Sequence, residues 1–260
     1  MAPRSAAGFL SCLSEIPVPR HYAPRMRLVT WNLGQRLDGD HAPDEVITAL
    51  ASLEPDIVIL AQRLPGPARE SFLASLAGLG LTHQLAPTPQ RHGDHVLIAS
   101  RLELVPGLRK ARATPDDLPP NMLHAYAPAG VLDVLGLRRP NAGNRPTARR
   151  ASWERLVRVA RTLKHRRAIL IGDFDVDAHD GRGAGIDHLR QLIDAGWKHA
   201  VPTDGGYVTA SDDAGKLDHA FLSPTIQQID ARYLLAAAGF RLTGAKGSPS
   251  AQPVLVVDLQ

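Results

Sequence analysis

Two aspartates close a short apolar run in residues 168–177, where Ala-Ile-Leu-Ile leads into Gly172, Asp173, Phe174 and Asp175. Four apolar residues bounded by glycine read as a buried strand, and a strand end is where a rigid scaffold can aim carboxylates at a ligand. Carboxylates so placed can take a proton from water or hold a cation. The bland alternative is a turn in which each side chain bonds its own backbone. Two other segments have the same shape: residues 26–33 deliver Trp31 and Asn32, and residues 216–224 open on Asp218. Asp173 and Asp175 are therefore the natural centre of a candidate site.

The elements that must position them follow from periodicity. Pro43 and acidic residues in a first turn, followed by apolar residues at helical spacing, predict a helix over residues 43–53, and residues 56–61 predict a buried strand ending at Gln62 and Arg63. A second helix is expected over 68–78 and a strand over 93–101. Residues 122–127 and 131–137 form a hairpin about the turn at 128–130. Trp153, Leu156, Val157, Ala160 and Leu163 lie on one face of a helix whose other face is rich in arginine. Ile186, Leu189, Leu192 and Ile193 mark another helix with Trp197 in the core behind it, and residues 253–259 predict a closing strand.

A chain of 260 residues without linker or repeat suits one large α/β domain. Residues 1–25 read as a loose extension whose apolar piece is too short for a signal peptide, and translation could start at Met1 or at Met26. No apolar run reaches membrane-spanning length, and the single cysteine, Cys12, excludes an internal disulfide; both fit a cytoplasmic location. The net charge of +4 hides a local surplus: within residues 138–167 ten Arg and one Lys face Glu154 alone, so the rest of the chain sums to −6. Such a cluster fits contact with a phosphate-containing ligand or nucleic acid, and equally the solvated face of a helix. The histidines form no metal-binding pattern. Asp173, Asp175, Asp177, His179 and Asp180 lack the glycine and final glutamate of a calcium loop, and the glycines of 181–185 read as a connection rather than a phosphate cradle.

Taken in order from residue 26 to 259, these motifs resemble the endonuclease/exonuclease/phosphatase superfamily, which includes exonuclease III, DNase I and neutral sphingomyelinases. The resemblance implies an α/β, DNase I-like fold over residues 26–260, a four-layered two-sheet β-sandwich flanked by helices. It also implies a metal-assisted phosphodiesterase site at the strand ends, with Asp173 as base, Asn32 as phosphate or water contact, and Asp218 orienting a catalytic histidine. Several positions depart from the pattern. Arg63 stands where the metal-binding glutamate is expected, Gly136 and Arg138 where an Asn and a catalytic His are expected, and Asp175 where an Asn contacts phosphate. Ser250 and Ala251 replace the final Asp-His. A guanidinium has no lone pair to give a metal and does not deprotonate, whereas it can grip phosphate through paired hydrogen bonds.

Three functions are therefore expected in order. The first is a divergent member with lost or strongly reduced phosphodiesterase activity, a pseudoenzyme candidate whose cleft binds phosphate through Arg63 and Arg138. The second is an active phosphodiesterase or nuclease with a rebuilt metal site, using Mg or Mn; without activity no cofactor is expected, and the metal ligands are unknown. The third is a protein-interaction scaffold. Substrate and oligomeric state are not legible in the sequence.

Overall fold

Runs of β-branched and other apolar residues alternate with amphipathic helices along the chain, and the strands pair into two six-stranded sheets. The computed structural model describes residues 25–34, 44–62, 67–87, 95–107, 121–138, 146–176, 185–201, 217–243, 248–250 and 252–260. The first sheet contains β1 (Met26–Gly34), β2 (Ile57–Gln62), β3 (His83–Leu85), β4 (His95–Ser100), β11 (Gln228–Leu234) and β14 (Val254–Leu259) in the order β11-β14-β1-β2-β4-β3. The second contains β5 (Val105–Pro106), β6 (Met122–Ala127), β7 (Leu132–Arg138), β8 (Ala168–Asp173), β9 (Lys198–His199) and β10 (Asp218–Leu222) in the order β5-β6-β7-β8-β10-β9. A small ribbon, β12 (Ala236–Ala237) with β13 (Phe240–Arg241), follows β11.

The period-2 pattern of each strand decides where the layers meet. Leu28, Ile57, Ile59, Ile98, Val134, Ile169, Ile171, Ala220 and Val257 project between the sheets and form the central core. The alternate residues Val29, Trp31, Leu33, Val58 and Leu60 pack outward under α1 (Asp44–Leu53) and α2 (Pro67–Gly78), through Val46, Leu50, Phe72 and Leu76. On the other side Leu135, Leu137, Leu170 and Phe221 pack under α3 (Pro146–Leu163) and α4 (Ile186–Asp194). The result is the expected four-layered sandwich. Trp153, Leu156, Val157, Ala160 and Leu163 all face this core and are buried, whereas Ile193, at the edge of the apolar stripe of α4, is exposed.

Two glycines are required by the packing beneath the cleft. Gly172 has φ +140°, and a Cβ there would lie 2.1 Å from the Leu137 carbonyl oxygen, so no other residue fits. A Cβ on Gly136 would lie 2.8 Å from Val96 Cγ1 and 3.1 Å from Ile59 Cγ2 on the facing sheet. Gly136 therefore sets how closely the two sheets approach.

Candidate functional site

The candidate residues come together because parity and register agree. β7 and β8 run parallel with Arg138 level with Asp173, and β8 and β10 run antiparallel with Asp218 opposite Asp173. All three share the inter-sheet parity of Val134, Ile171 and Ala220, so this row lies one step beyond the central core, at the open end of the sandwich. Asn32 reaches the same level from the first sheet, two residues beyond Thr30 and four beyond Leu28. Its side-chain amide donates to Asp173 Oδ2 at 2.7 Å, a buried hydrogen bond that crosses from one sheet to the other. Trp31, its neighbour, points away from the cleft into the outer core.

Asp173 is fully buried and its other oxygen, Oδ1, accepts the Asp175 main-chain N–H at 2.9 Å. That bond closes a tight turn in which Asp175 has φ +54°, a left-handed conformation that Asp and Asn tolerate better than other side chains. The turn is also held from behind. Phe174 is buried among Trp153, His219 and Phe221, and His219 Nε2 donates to the Val176 carbonyl at 2.7 Å while its Nδ1 meets His199 Nε2 at 3.2 Å. The histidines here position the turn by packing and hydrogen bonding.

Asp218 is in a different state. The hydrogen bond from the Phe174 N–H to the Leu217 carbonyl, at 2.8 Å, makes Asp173 and Asp218 the closely spaced, non-hydrogen-bonded type of cross-strand pair. Asp218 is 1% exposed, and neither of its carboxyl oxygens has a hydrogen-bond partner of normal geometry among the described residues. Burial first, and the charge of Asp173 second, push its pKa well above the ordinary carboxylate range; the Asn32 main-chain N–H is near enough to oppose this weakly without forming a bond. Tyr233 donates its hydroxyl to the Asp218 carbonyl at 2.6 Å and so holds the backbone at this point, a contact that nothing in the sequence marks.

The Ser250 side chain is engaged with the backbone. Its hydroxyl donates to the Asn32 main-chain carbonyl and accepts the Gln252 N–H at 2.9 Å, which ties the last loop to the end of β1. Gly136 lies one step inside the row, level with Ile171, and belongs to the core; of the two positions expected to carry site chemistry on β7, only Arg138 is in the cleft row, and it is 5% exposed. Arg63 and Ala251 lie outside the described residues.

The sequence profile of the endonuclease/exonuclease/phosphatase family matches residues 29–248. The chain belongs to that family. Its span takes in Asn32, Arg138, Asp173, Asp175 and Asp218. Among solved structures, this chain is similar to a 3′ phosphatase NExo from Neisseria bound to product DNA hairpin, with TM-score 0.67 and 20% identity over 90% of this chain and 99% of that one. It is also similar to the 3′-5′ exonuclease NExo from Neisseria meningitidis, with TM-score 0.65 and 21% identity over 89% and 98% of the two chains. An AP endonuclease from Archaeoglobus fulgidus matches with TM-score 0.66 and 16% identity over 89% and 98%. At these identities the likeness establishes the fold. A comparison with curated protein sequences gives no match.

Members of this family are typically dependent on a divalent metal, so the fit of the cleft to such an ion is a physical question. A hard cation such as Mg²⁺ takes six oxygen ligands in near-octahedral array. Here Asp173 engages one oxygen with Asn32 and the other with the Asp175 N–H, and the Arg138 guanidinium stands in the same row. Among the described residues no group of three or more His, Cys, Asp or Glu is arranged to hold a metal. The described residues do not fit the ion.

Proposed function

We propose that the cleft binds a phosphate ester and that its phosphodiesterase activity is lost or strongly reduced. The observation that carries this reading is Asp218: the carboxylate expected to orient a histidine is buried opposite a second carboxylate, with no partner among the described residues. Among the described residues that carboxylate has no imidazolium to stabilise. With Ser250 turned to the Asn32 carbonyl, the described residues of the cleft lack the proton relay that charge development in the transition state requires. Each such electrostatic contribution is worth roughly 3 kcal/mol, about a hundredfold in rate. What the cleft retains suits binding. Arg138 supplies a permanent cation where the family pattern has a histidine, and in the sequence Arg63 stands where that pattern has a metal ligand; guanidinium groups bond phosphate oxygens bidentately.

Nucleic acid is the phosphate ester we favour, since one of the similar structures is described with a DNA hairpin and the basic residues of 138–167 lead away from the cleft. Among the described residues no helix is long and apolar enough to cross a membrane. A cytoplasmic location agrees with the single cysteine.

A second reading, an active enzyme using Mg or Mn through Asp175, draws on the Asn32–Asp173 pair, which is fully formed. Both are tested by hydrolysis of bis-p-nitrophenyl phosphate and of single- and double-stranded DNA with Mg²⁺ or Mn²⁺, comparing the protein with Asp173→Asn. The expected result is turnover that is absent or equal in the two, with phosphate binding weakened in Arg63→Ala and Arg138→Ala. Turnover abolished by Asp173→Asn would overturn the proposal and establish a rebuilt site. Tight protein binding unaffected by Arg63→Ala would instead favour a scaffold.

A further inference from the structure

We propose that the exposed face of α3 is a second surface for nucleic acid, one that grips a duplex through its phosphate backbone outside the cleft. Arg155, Arg158 and Arg161 are all exposed, and none has an ion-pair partner among the described residues. Positions 155, 158 and 161 fall within one 120° sector of the helix at 100° per residue, opposite the buried Trp153, Leu156, Ala160 and Leu163. Among the described side chains of this face only Arg150 is neutralised, by Glu154 at 2.8 Å. The compensating acids are elsewhere: Asp44 and Glu45 begin α1, and Asp187 and Asp194 lie on α4. Charge is thus segregated onto one helix rather than interspersed.

The chemistry of the face selects its partner. Among its described side chains it carries no large apolar one, with Ala151 and Thr162 between its charges, so these lack the hydrophobic wedge by which a helix lies in a membrane and the buried anchor by which proteins dock. A polyanion needs neither. Arg155 to Arg161 advance about 9 Å along the helix axis, and a duplex strand presents a phosphate every ~3.4 Å of its axis, so the three guanidinium groups match about three phosphates. The topology also connects the face to the cleft. α3 follows β7, whose end is level with Asp173, and returns to the start of β8 level with Asp133, so the helix leads from the cleft end along the flank of the second sheet.

The test is fluorescence anisotropy of a labelled 20-base-pair DNA duplex in EDTA across a KCl titration, with Arg155→Ala/Arg158→Ala/Arg161→Ala and the matching triple Lys variant. The triple Ala protein is expected to bind the duplex at least about tenfold more weakly and to lose about two to three units of log K against log salt slope, as three released counterions require, while the Lys variant keeps most of the slope. Unchanged affinity and slope in the triple Ala protein overturns the proposal. So does stronger binding to phosphatidylserine vesicles than to the duplex, which would assign the face to a membrane. The dinucleotide dTpdT reaches only the cleft, since Arg155 lies about 14 Å along the helix from its first residue. Loss of dTpdT binding with the duplex retained would remove the cleft reading and leave this one standing.

Discussion

Replacing Asp218 by Asn removes a charge and leaves the shape almost unchanged, which isolates the electrostatic state of the cleft. A close cross-strand pair brings the side chains to about 5 Å, and at an effective dielectric near 20 two unit charges at that distance repel by roughly 3 kcal/mol. The Asn32 N–H offsets part of this while burial of the charge adds to it, so a net penalty of at least about 1–2 kcal/mol is expected when both carboxylates are ionised. The pH dependence has a definite sign. The folded pKa of Asp218 is raised above its ordinary 3.8, so its favourable contribution is complete below that value and is lost as the pH rises through the folded pKa. Asp218→Asn should therefore match the parent near pH 4 and exceed it near pH 8. A gain of 1–2 kcal/mol in a chain of this size is about 3–6 °C in Tm. Urea unfolding and thermal scans at pH 4, 5, 6, 7 and 8 measure the difference directly. A variant that is less stable at pH 8, by a margin that grows with pH, would refute the reasoning, because it would mean that the carboxylate is paired.

Asn32→Ala leaves Asp173 short of a buried donor and should lower stability by about 1–3 kcal/mol in urea unfolding. Gly172→Ala forces a Cβ into the Leu137 carbonyl at a left-handed φ and should destabilise by at least about 3 kcal/mol, visible as loss of soluble protein or of the cooperative transition. Trp153→Ala removes the ring that packs on Phe174 and stacks at 4.8 Å on His188, and should cost about 3–5 kcal/mol by the same measure.

The strands that carry the site are legible because burial writes itself into sequence: Ile-Leu-Ile before Gly172, Leu-Val before Thr30 and Ala-Phe-Leu after His219 all read as apolar runs bounded by polar residues or glycine. β11 is not legible in that way. It is an edge strand of Gln, Asp and Arg among half-buried residues, and such a pattern is shared by many loops. Within the site, Asn32, Asp173 and Asp218 stand out by their position at strand ends. Ser250 and Tyr233 do not, because each acts through one hydrogen bond to a backbone carbonyl far away in sequence or on another strand, and no periodicity encodes that. The family resemblance puts Gly136 at a site position. The register puts it level with Ile171 in the core, a one-step distinction that a motif match cannot make when residues on the same face are two apart.

The Asn32–Asp173 bond joins the two sheets at the mouth of the sandwich, just above the point where Gly136 lets them close. It is a buried, charge-assisted bond, and such a bond contributes to folding whether or not anything is hydrolysed beside it. Selection for a stable sandwich is then sufficient to keep both residues in descendants that no longer turn over substrate. The presence of that pair therefore reports on the integrity of the scaffold, and turnover has to be tested at other residues of the row, such as Asp218.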